Sequence, residues 1–330
     1  MKPIQKTQQF IKRNKLVKKN DLVLIGLSGG MDSVCLTHML KTLQYEFGIH
    51  LHAVHINHNL RKSSAKDEAF CKKLAGALNI PFSARKWPKN QQLKKGSLEE
   101  HARHFRHQVF FNIAEKINAS TIALAHHQND LAETVLMRII RGSGLQGIAS
   151  IQPNRMIEGM QVIRPLLALT RDEIQAHVQE HKLSFVVDES NDDLSFTRNK
   201  VRHRLIPFLQ NEFNPNIQKT LSNLAENAAA DYQHLQINAL AVFNKITIKK
   251  TRALVEFDIE ALQRKSTSMQ RQLMRLAIAY LKGNTNQLTL LHIKDIEDLY
   301  KDSPKVKMVH LPVGIRILAK QKKLCFSLVN

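Results

Sequence analysis

Residues Leu22 to Leu36 read LVLIGLSGGMDSVCL. An apolar run breaks at Ser28-Gly29-Gly30-Met31-Asp32-Ser33 and resumes at helical spacing through Cys35, Leu36, Met39, Leu40 and Leu43. The pattern predicts a buried strand, a tight loop and an amphipathic helix. Two adjacent glycines admit an anion close to the backbone, and the helix start supplies N–H groups and the positive end of its dipole. Ser28 and Ser33 add hydroxyls. Asp32 among so many anion-seeking groups makes sense with a divalent cation, Mg²⁺, between it and bound phosphates. This is not the common P-loop, because Met31-Asp32 stand where that loop needs a Lys. The alternative is an ordinary strand-to-helix turn.

Outward from this stretch, strands are expected at Ile49–Asn57, Phe82–Lys86, Thr121–Ala125 and Gln161–Leu167. Helices are expected between them, at about Ala65–Leu78, from a Ser97-x-x-Glu100 capping box to Lys116, over Asp130–Arg141 behind an Asp130-x-x-Glu133 box, and from Thr170-x-x-Glu173 to about His181. Such alternation means an α/β fold, a parallel sheet covered on both faces with ligands at the carboxyl ends of its strands. From Pro215, helical spacing continues through Ile217, Leu221, Leu224, Ala228, Tyr232, Leu235, Ala239, Val242 and Phe243, a linker helix into a smaller α+β domain. The expected division is 1–214 and 215–330. The second part is read as two helices (Ser268–Leu281, Leu291–Tyr300) and three terminal strands, made basic by residues such as Lys301, Lys305, Lys307, Arg316 and Lys320.

Polar clusters fall at the strand ends. His55-Ile-Asn57-His58-Asn59-Leu-Arg61 leaves the second strand; Asn and Arg there suit a base, ribose or phosphate, and the His spacing does not suit a metal. Arg103 and Arg106 share a helix face, a fork for phosphate or carboxylate, or simply a solvated face. His126-His127-Gln128-Asn129-Asp130-Leu-Ala-Glu133 places two carboxylates near the loop, able to hold an ammonium or a metal, or else only to cap a helix. Arg141-Gly142-Ser143-Gly144-Leu-Gln-Gly147 matches a dinucleotide fingerprint but ends a helix instead of following a strand, so it reads as a helix terminus. Arg198 and Arg202, four apart with Asn199 between, are read as a phosphate-binding face.

The 330 residues suggest about two domains. Lys plus Arg number 49 against 28 Asp plus Glu, a net charge of +21; this favours a polyanionic partner, with a solubilising surface as the alternative. Cys35, Cys71 and Cys325 form no CxxC, which points to a reducing compartment. No apolar run approaches the ~20 residues of a membrane span. Met1–Asn20 carries seven basic and no acidic residues, without the apolar core of a secretory signal. It is read as a helix covering the fold, with nucleic-acid contact as the other reading; a soluble cytoplasmic protein is expected.

SGGMDS, so placed, resembles the loop of the N-type ATP pyrophosphatases, which split ATP between its α and β phosphates. The ordered set SGGMDS, HINHNLR, ARHFR, AHHQNDLAET, RGSGLQG, IRPLL and DESN…TRNKVRHRLIP is similar to the tRNA(Ile)-lysidine synthetases from Leu22 to about Pro215, and weakly beyond. The resemblance implies an ATP- and Mg²⁺-dependent ligase joining L-lysine to carbon 2 of the wobble cytidine of tRNA(Ile) through an adenylated intermediate; no stable protein partner is implied. It further implies that Ser28, Gly29, Gly30, Met31, Asp32, Ser33, Asn57 and His58 bind ATP, with Asp32 reaching Mg²⁺ through the phosphates. Asp32, Asp130 and Glu133 would be catalytic. Asp130, Glu133, Arg103 and Arg106 would bind lysine, and Arg61, Arg141, Arg198, Asn199 and Arg202 the tRNA. Two departures stand out: Asn129 replaces the first of two usual acids, and Leu131 a usual Gln. Longer members also append a further C-terminal domain. The rival readings are a tRNA thiolase on the same loop, which needs a persulfide cysteine or an iron–sulfur set, and a non-catalytic tRNA-binding protein.

Overall fold

Strand β1 (Leu22–Gly26) is buried on both faces, as a central parallel strand must be. The computed structural model describes residues 1–57, 64–88, 98–149, 151–157, 159–187, 193–285, 287–301, 308–312 and 314–329, without the side chains of 98–100 and 102–104. The chain divides into two compact units, Met1–Ala229 and Ala230–Asn330.

In the first unit β1 pairs in parallel with β2 (His50–Asn57) on one side and β4 (Thr121–Ala123) on the other. β3 (Phe82–Lys86) lies outside β2, and β6 (Met160–Ile163) beyond β4, both parallel; β5 (Asn154–Ile157) closes the edge antiparallel to β6. The order is β3-β2-β1-β4-β6-β5. The chain runs outward from β1 to β3 and then returns to β4 on the opposite flank, so the winding reverses between β1 and β4. Their carboxyl ends open the crevice where such sheets bind ligands.

The helices of this unit are α1 (Pro3–Arg13), α2 (Met31–Phe47), α3 (Ser64–Ala77), α4 (Leu98–Lys116), α5 (Gln128–Ile140), the single turn α6 (Leu145–Ile148), α7 (Arg171–Glu180), α8 (Thr197–Lys200) and α9 (Ile206–Glu212); α10 (Ile217–Ile246) crosses the division at Ala229. Alternation along β1 sorts the core. Val23 and Ile25 pack with Leu36, Met39 and Leu40 of α2, Ile11 of α1 and Ile174 of α7, whereas Leu24 packs with Val109, Phe110 and Ile113 of α4. The basic N-terminus covers the fold, as expected. Ile11 is buried, and Lys2, Lys6, Lys12 and Arg13 pair with Glu180, Glu173, Glu46 and Glu226.

Three expectations are corrected. α5 begins at Gln128 with His127 as its N-cap, so Asp130 is its third residue and not the cap. The VIRPLL strand stops at Ile163, and Pro165–Ala168 is a 3₁₀ turn, because Pro165 has no N–H to continue a ladder. β5 is a strand the sequence pattern does not predict; its residues are mostly exposed, as an edge strand allows. The Thr170–Glu173 capping box is present, with each side chain accepting from the other's backbone N–H. Gly142, at φ +73°, follows α5 as the helix-terminus reading requires. Ser97 and Glu100 fall outside the described side chains.

In the second unit an antiparallel sheet runs β7 (Thr247–Thr251), β8 (Leu254–Asp258), β11 (Lys323–Leu328), β10 (Ile315–Lys320), β9 (Met308–Leu311). α11 (Ile259–Gln263) is followed by α12 (Thr267–Lys282) and α13 (Leu290–Asp298), whose Leu273, Met274, Ile278, Ile293 and Ile296 pack with the sheet's Val255, Phe257, Ile317 and Phe326. β7 follows α10 without Gly or Pro and carries Lys249 and Lys250 at an exposed edge, so neither punctuation nor alternation marks it. Phe257 is fully buried, its ring 5.4 Å from both Phe243 and Phe326. Phe257→Ala should cost this unit about 3–5 kcal/mol; hydrogen exchange at β8, β11 and α12 amides should accelerate accordingly, and unchanged protection would show that the void collapses.

Candidate active site

The loop leaving β1 is wound around one hydroxyl. Ser33 Oγ accepts from the backbone N–H groups of Ser28 (3.2 Å) and Gly29 (3.1 Å) and donates to Gly30 O (2.9 Å), with Ser28 Oγ 3.0 Å away. Gly29 sits at φ +94°, and a Cβ there would lie 3.2 Å from Cys71 Sγ. Its carbonyl accepts from Val186 N (2.9 Å), which fastens the loop from the far side. The N–H groups of Met31, Asp32 and Ser33 open α2 and have no carbonyl one turn behind them, the general condition for holding an anion.

Asp32, second in α2, has its carboxyl pushed up by burial, with the charges of His127 and Arg171 pulling it back. Its Oδ1 is buried without a hydrogen-bond partner among the described residues, while Oδ2 lies 3.7 Å from His127 Nε2. Buried His127, leaving β4, stands between the two acids, its Nε2 also 3.5 Å from Asp130 Oδ2. That same oxygen accepts from the His127 backbone N–H at 3.0 Å.

Asp130 and Glu133, one turn apart on α5, meet Arg198 of α8 and Arg202 of the turn that follows. Arg198 donates from Nη2 to Asp130 Oδ1 and from Nε to Glu133 Oε2, both at 2.7 Å. Arg202 donates from Nε to Glu133 Oε1 (2.6 Å) and from Nη2 to Oε2 (3.1 Å). Glu133 is 1% exposed, so its charge is matched where it stands. Burial pushes Asp130 up, but His127, Arg198 and His126 outweigh it and hold the carboxyl below its ordinary value. The acids three apart and the arginines four apart have matching reach, a complementarity visible in sequence only once the two helices are known to face each other. Between Lys200 and Ile206 the helix widens into a π turn, Val201–Leu205. Pro207 explains it: without an N–H it cannot bond the carbonyl of His203, and its ring pushes that carbonyl away.

Other sequence candidates scatter. Arg106 is exposed, yet its charge helps depress buried His126, whose pKa burial lowers to about 3. Asn57 is buried at the end of β2, donating to Ser64 O and to Glu68 Oε2. Asn199 is buried and donates to Asp193 O. Arg141 is exposed at the opposite end of α5 from Asp130, about 16 Å along the helix at ~1.5 Å per residue. There an open groove of about 500 Å³ is lined by Ile140, Lys200, Val201, Arg204, Leu205 and Phe208, a site that no motif in the sequence marks. His58 and Arg61 lie outside the described residues, as does the side chain of Arg103.

A sequence-family model described as a PP-loop domain matches residues 2–209, the span that builds this crevice. The tRNA(Ile)-lysidine synthase of Clostridioides difficile is 34% identical over 98% of this chain and 70% of its own length, and that of Clostridium perfringens 35% identical over 99% and 69%. The chain belongs to the tRNA(Ile)-lysidine synthase family. Members are ligase-type enzymes, and the PP-loop domain uses ATP. A solved U34-tRNA thiolase NcsA from Methanococcus maripaludis, with its [4Fe-4S] cluster, superposes with a TM-score of 0.58 at 19% identity, covering 69% of this chain and 78% of that one, and shares the fold.

Within this lysidine synthase chain the two departures have structural employment. Asn129 donates to Gln218 Oε1 of α10 and accepts from Arg171 N (2.9 Å), so its amide serves as donor and acceptor at once. Leu131 is buried against Ala132, Val135 and Leu167. Cys35 and Cys71 are pushed up to about 12 by burial, which keeps both thiols protonated and unsuited to sulfur transfer.

Glu133→Ala strands two guanidinium groups and should cost about 3 kcal/mol in urea unfolding; a loss near zero would make the cluster dispensable to the fold. His126 refuses in the folded state a proton that the unfolded chain takes up near pH 6.5. Stability should therefore be full above about pH 6.5 and decline as pH falls toward 3. Urea midpoints at pH 7.5 and 5 should differ less in His126→Gln than in the wild type.

Proposed function

We propose that this chain ligates L-lysine to carbon 2 of the wobble cytidine of tRNA(Ile) in the cytoplasm, forming lysidine by way of an adenylated tRNA. The observation that carries this reading is His127, within 3.7 Å of Asp32 at the nucleotide loop and within 3.5 Å of Asp130 in the acid and arginine cluster. Two chemical steps have to share a reacting centre, and here their candidate groups share one crevice.

In the first step the cytosine oxygen attacks the α-phosphorus of ATP and pyrophosphate leaves. The loop from Ser28 to Ser33 and the opening turn of α2 offer the leaving group N–H donors and hydroxyls. The orphaned, buried Oδ1 of Asp32 fits a cation, and Asp32 would hold Mg²⁺ there; when bound, the ion supplies neutralisation of phosphate charge. In the second step the lysine amine attacks carbon 2 and AMP leaves. Asp130 is the acid suited to receive the ammonium and take a proton from the attacking amine, since a protonated amine is no nucleophile. Glu133 is already saturated by guanidinium N–H groups, so its part is to place Arg198 and Arg202. These arginines remain partly exposed and present positive charge beside the loop, where Arg202 acts on Asp32. Arg106, felt at His126, is placed to meet the lysine carboxylate or a phosphate.

For the tRNA backbone, Arg141, Lys200 and Arg204 around the groove are better suited than Arg198 and Arg202, whose charges are matched by acids. Exposed Phe208 adds a surface on which an unstacked base can rest.

ATP–pyrophosphate exchange should appear only with tRNA(Ile) present; its absence in folded, ATP-binding protein would overturn the adenylation step. Asp130→Asn should abolish lysidine formation while leaving ATP affinity within about twofold, and equal turnover would remove its assignment. Arg141→Glu with Arg204→Glu should weaken tRNA binding and lower its salt slope by roughly 0.7–0.9 for each phosphate no longer neutralised; an unchanged slope would move the RNA path elsewhere.

A further inference from the structure

α7 carries His177-Val-Gln-Glu180-His181, in which the two histidines, four residues apart, stand one above the other on a single helix face. His177 is 1% exposed, while Glu180 and His181 are open to solvent. From the adjacent α2, His38 enters the same spot, its Nδ1 3.1 Å from His177 Nε2. The three imidazoles lie in mutual contact, with ring centroids 5.2, 4.7 and 4.4 Å apart. One donor nitrogen from each of His177 and His181 and one oxygen of Glu180 all fall within 4.8 Å of one another. None of these residues takes part in the chemistry proposed for the crevice.

We propose that His177, His181 and Glu180, completed by His38, form a binding site for one divalent transition-metal ion of the zinc class. Three imidazoles and a carboxylate make a four-donor set that zinc takes readily. With Zn–N bonds of about 2.0–2.1 Å, tetrahedral donors stand about 3.3 Å apart, and the His38 to His177 separation of 3.1 Å already has that span. Closing the remaining gaps requires rotation of Glu180 and His181, both exposed. His-x-x-Glu-His is, besides, a helical spacing found in zinc sites. Burial lowers His177 to about 4 and also lowers His38, so both are neutral and offer lone pairs at physiological pH. Glu180 accepts from Lys2 Nζ at 2.8 Å, an exposed pair that exchanges at little cost. A bound ion ties α7 to α2, the helices whose first turns carry Arg171 and Asp32, and so braces the nucleotide loop from behind.

The test uses the untagged chain, stripped with chelator and titrated with Zn²⁺ alone, without nucleotide. One equivalent of zinc should bind with a Kd of micromolar or tighter, Tm should rise, and Co²⁺ in its place should give the intense visible bands of a tetrahedral ion. His181→Ala and His38→Ala should each weaken binding at least tenfold, whereas Asp32→Asn should leave it unchanged. Absence of a stoichiometric site, binding that survives His181→Ala, or binding that follows Asp32 instead would each overturn the proposal.

Discussion

Glu133 is a carboxylate with almost no contact with water, and burying such a charge alone is prohibitive. Its two arginine partners lie 65 and 69 residues further on, so the crevice cannot form until the chain beyond α7 has folded back over α5. Removing water from the ions also fixes their geometry: fork-like guanidinium groups leave each oxygen a defined donor. The cluster thus sets the spacing between the end of β4 and the basic helical segment. Asp130, less deeply covered, is left at the edge of that arrangement, next to the histidine that leads to Asp32.

Much of this is legible in the residues. The strand, loop and helix of Leu22–Leu36, the parallel order around it and the polar strand ends all follow from local patterns whose physics is local. Mutual partners are not. Sequence alone assigns Arg198 and Arg202 to phosphate because spacing on one helix reports which side chains share a face, and says nothing of what that face meets. His127 escapes notice because a buried histidine at a helix cap has no periodicity to mark it. β5 and β7 are hidden for a related reason: edge strands tolerate polar residues on both faces and so lose the alternation by which strands are recognised.

Charge likewise reads differently in space. The net charge of +21 suggests a uniformly cationic surface, yet Lys2, Lys6, Lys12 and Arg13 are each opposed by a glutamate, and Arg198 and Arg202 by buried acids. What can act on a distant polyanion is the remainder, and around the groove beside α5 it coincides with exposed phenylalanines at 196, 208 and 213.

Pro207 lies away from every reacting atom, yet the widened turn before it is its doing. A helix that takes one additional residue into a turn shifts everything downstream by about 100° relative to an unbroken one. The imino acid thereby works as a phase mark: it decides which sides of the segment look toward the acids and which toward the groove. Insertions or deletions between positions 198 and 207 would interchange those two audiences, so length in this short stretch is constrained more tightly than the identity of most of its side chains.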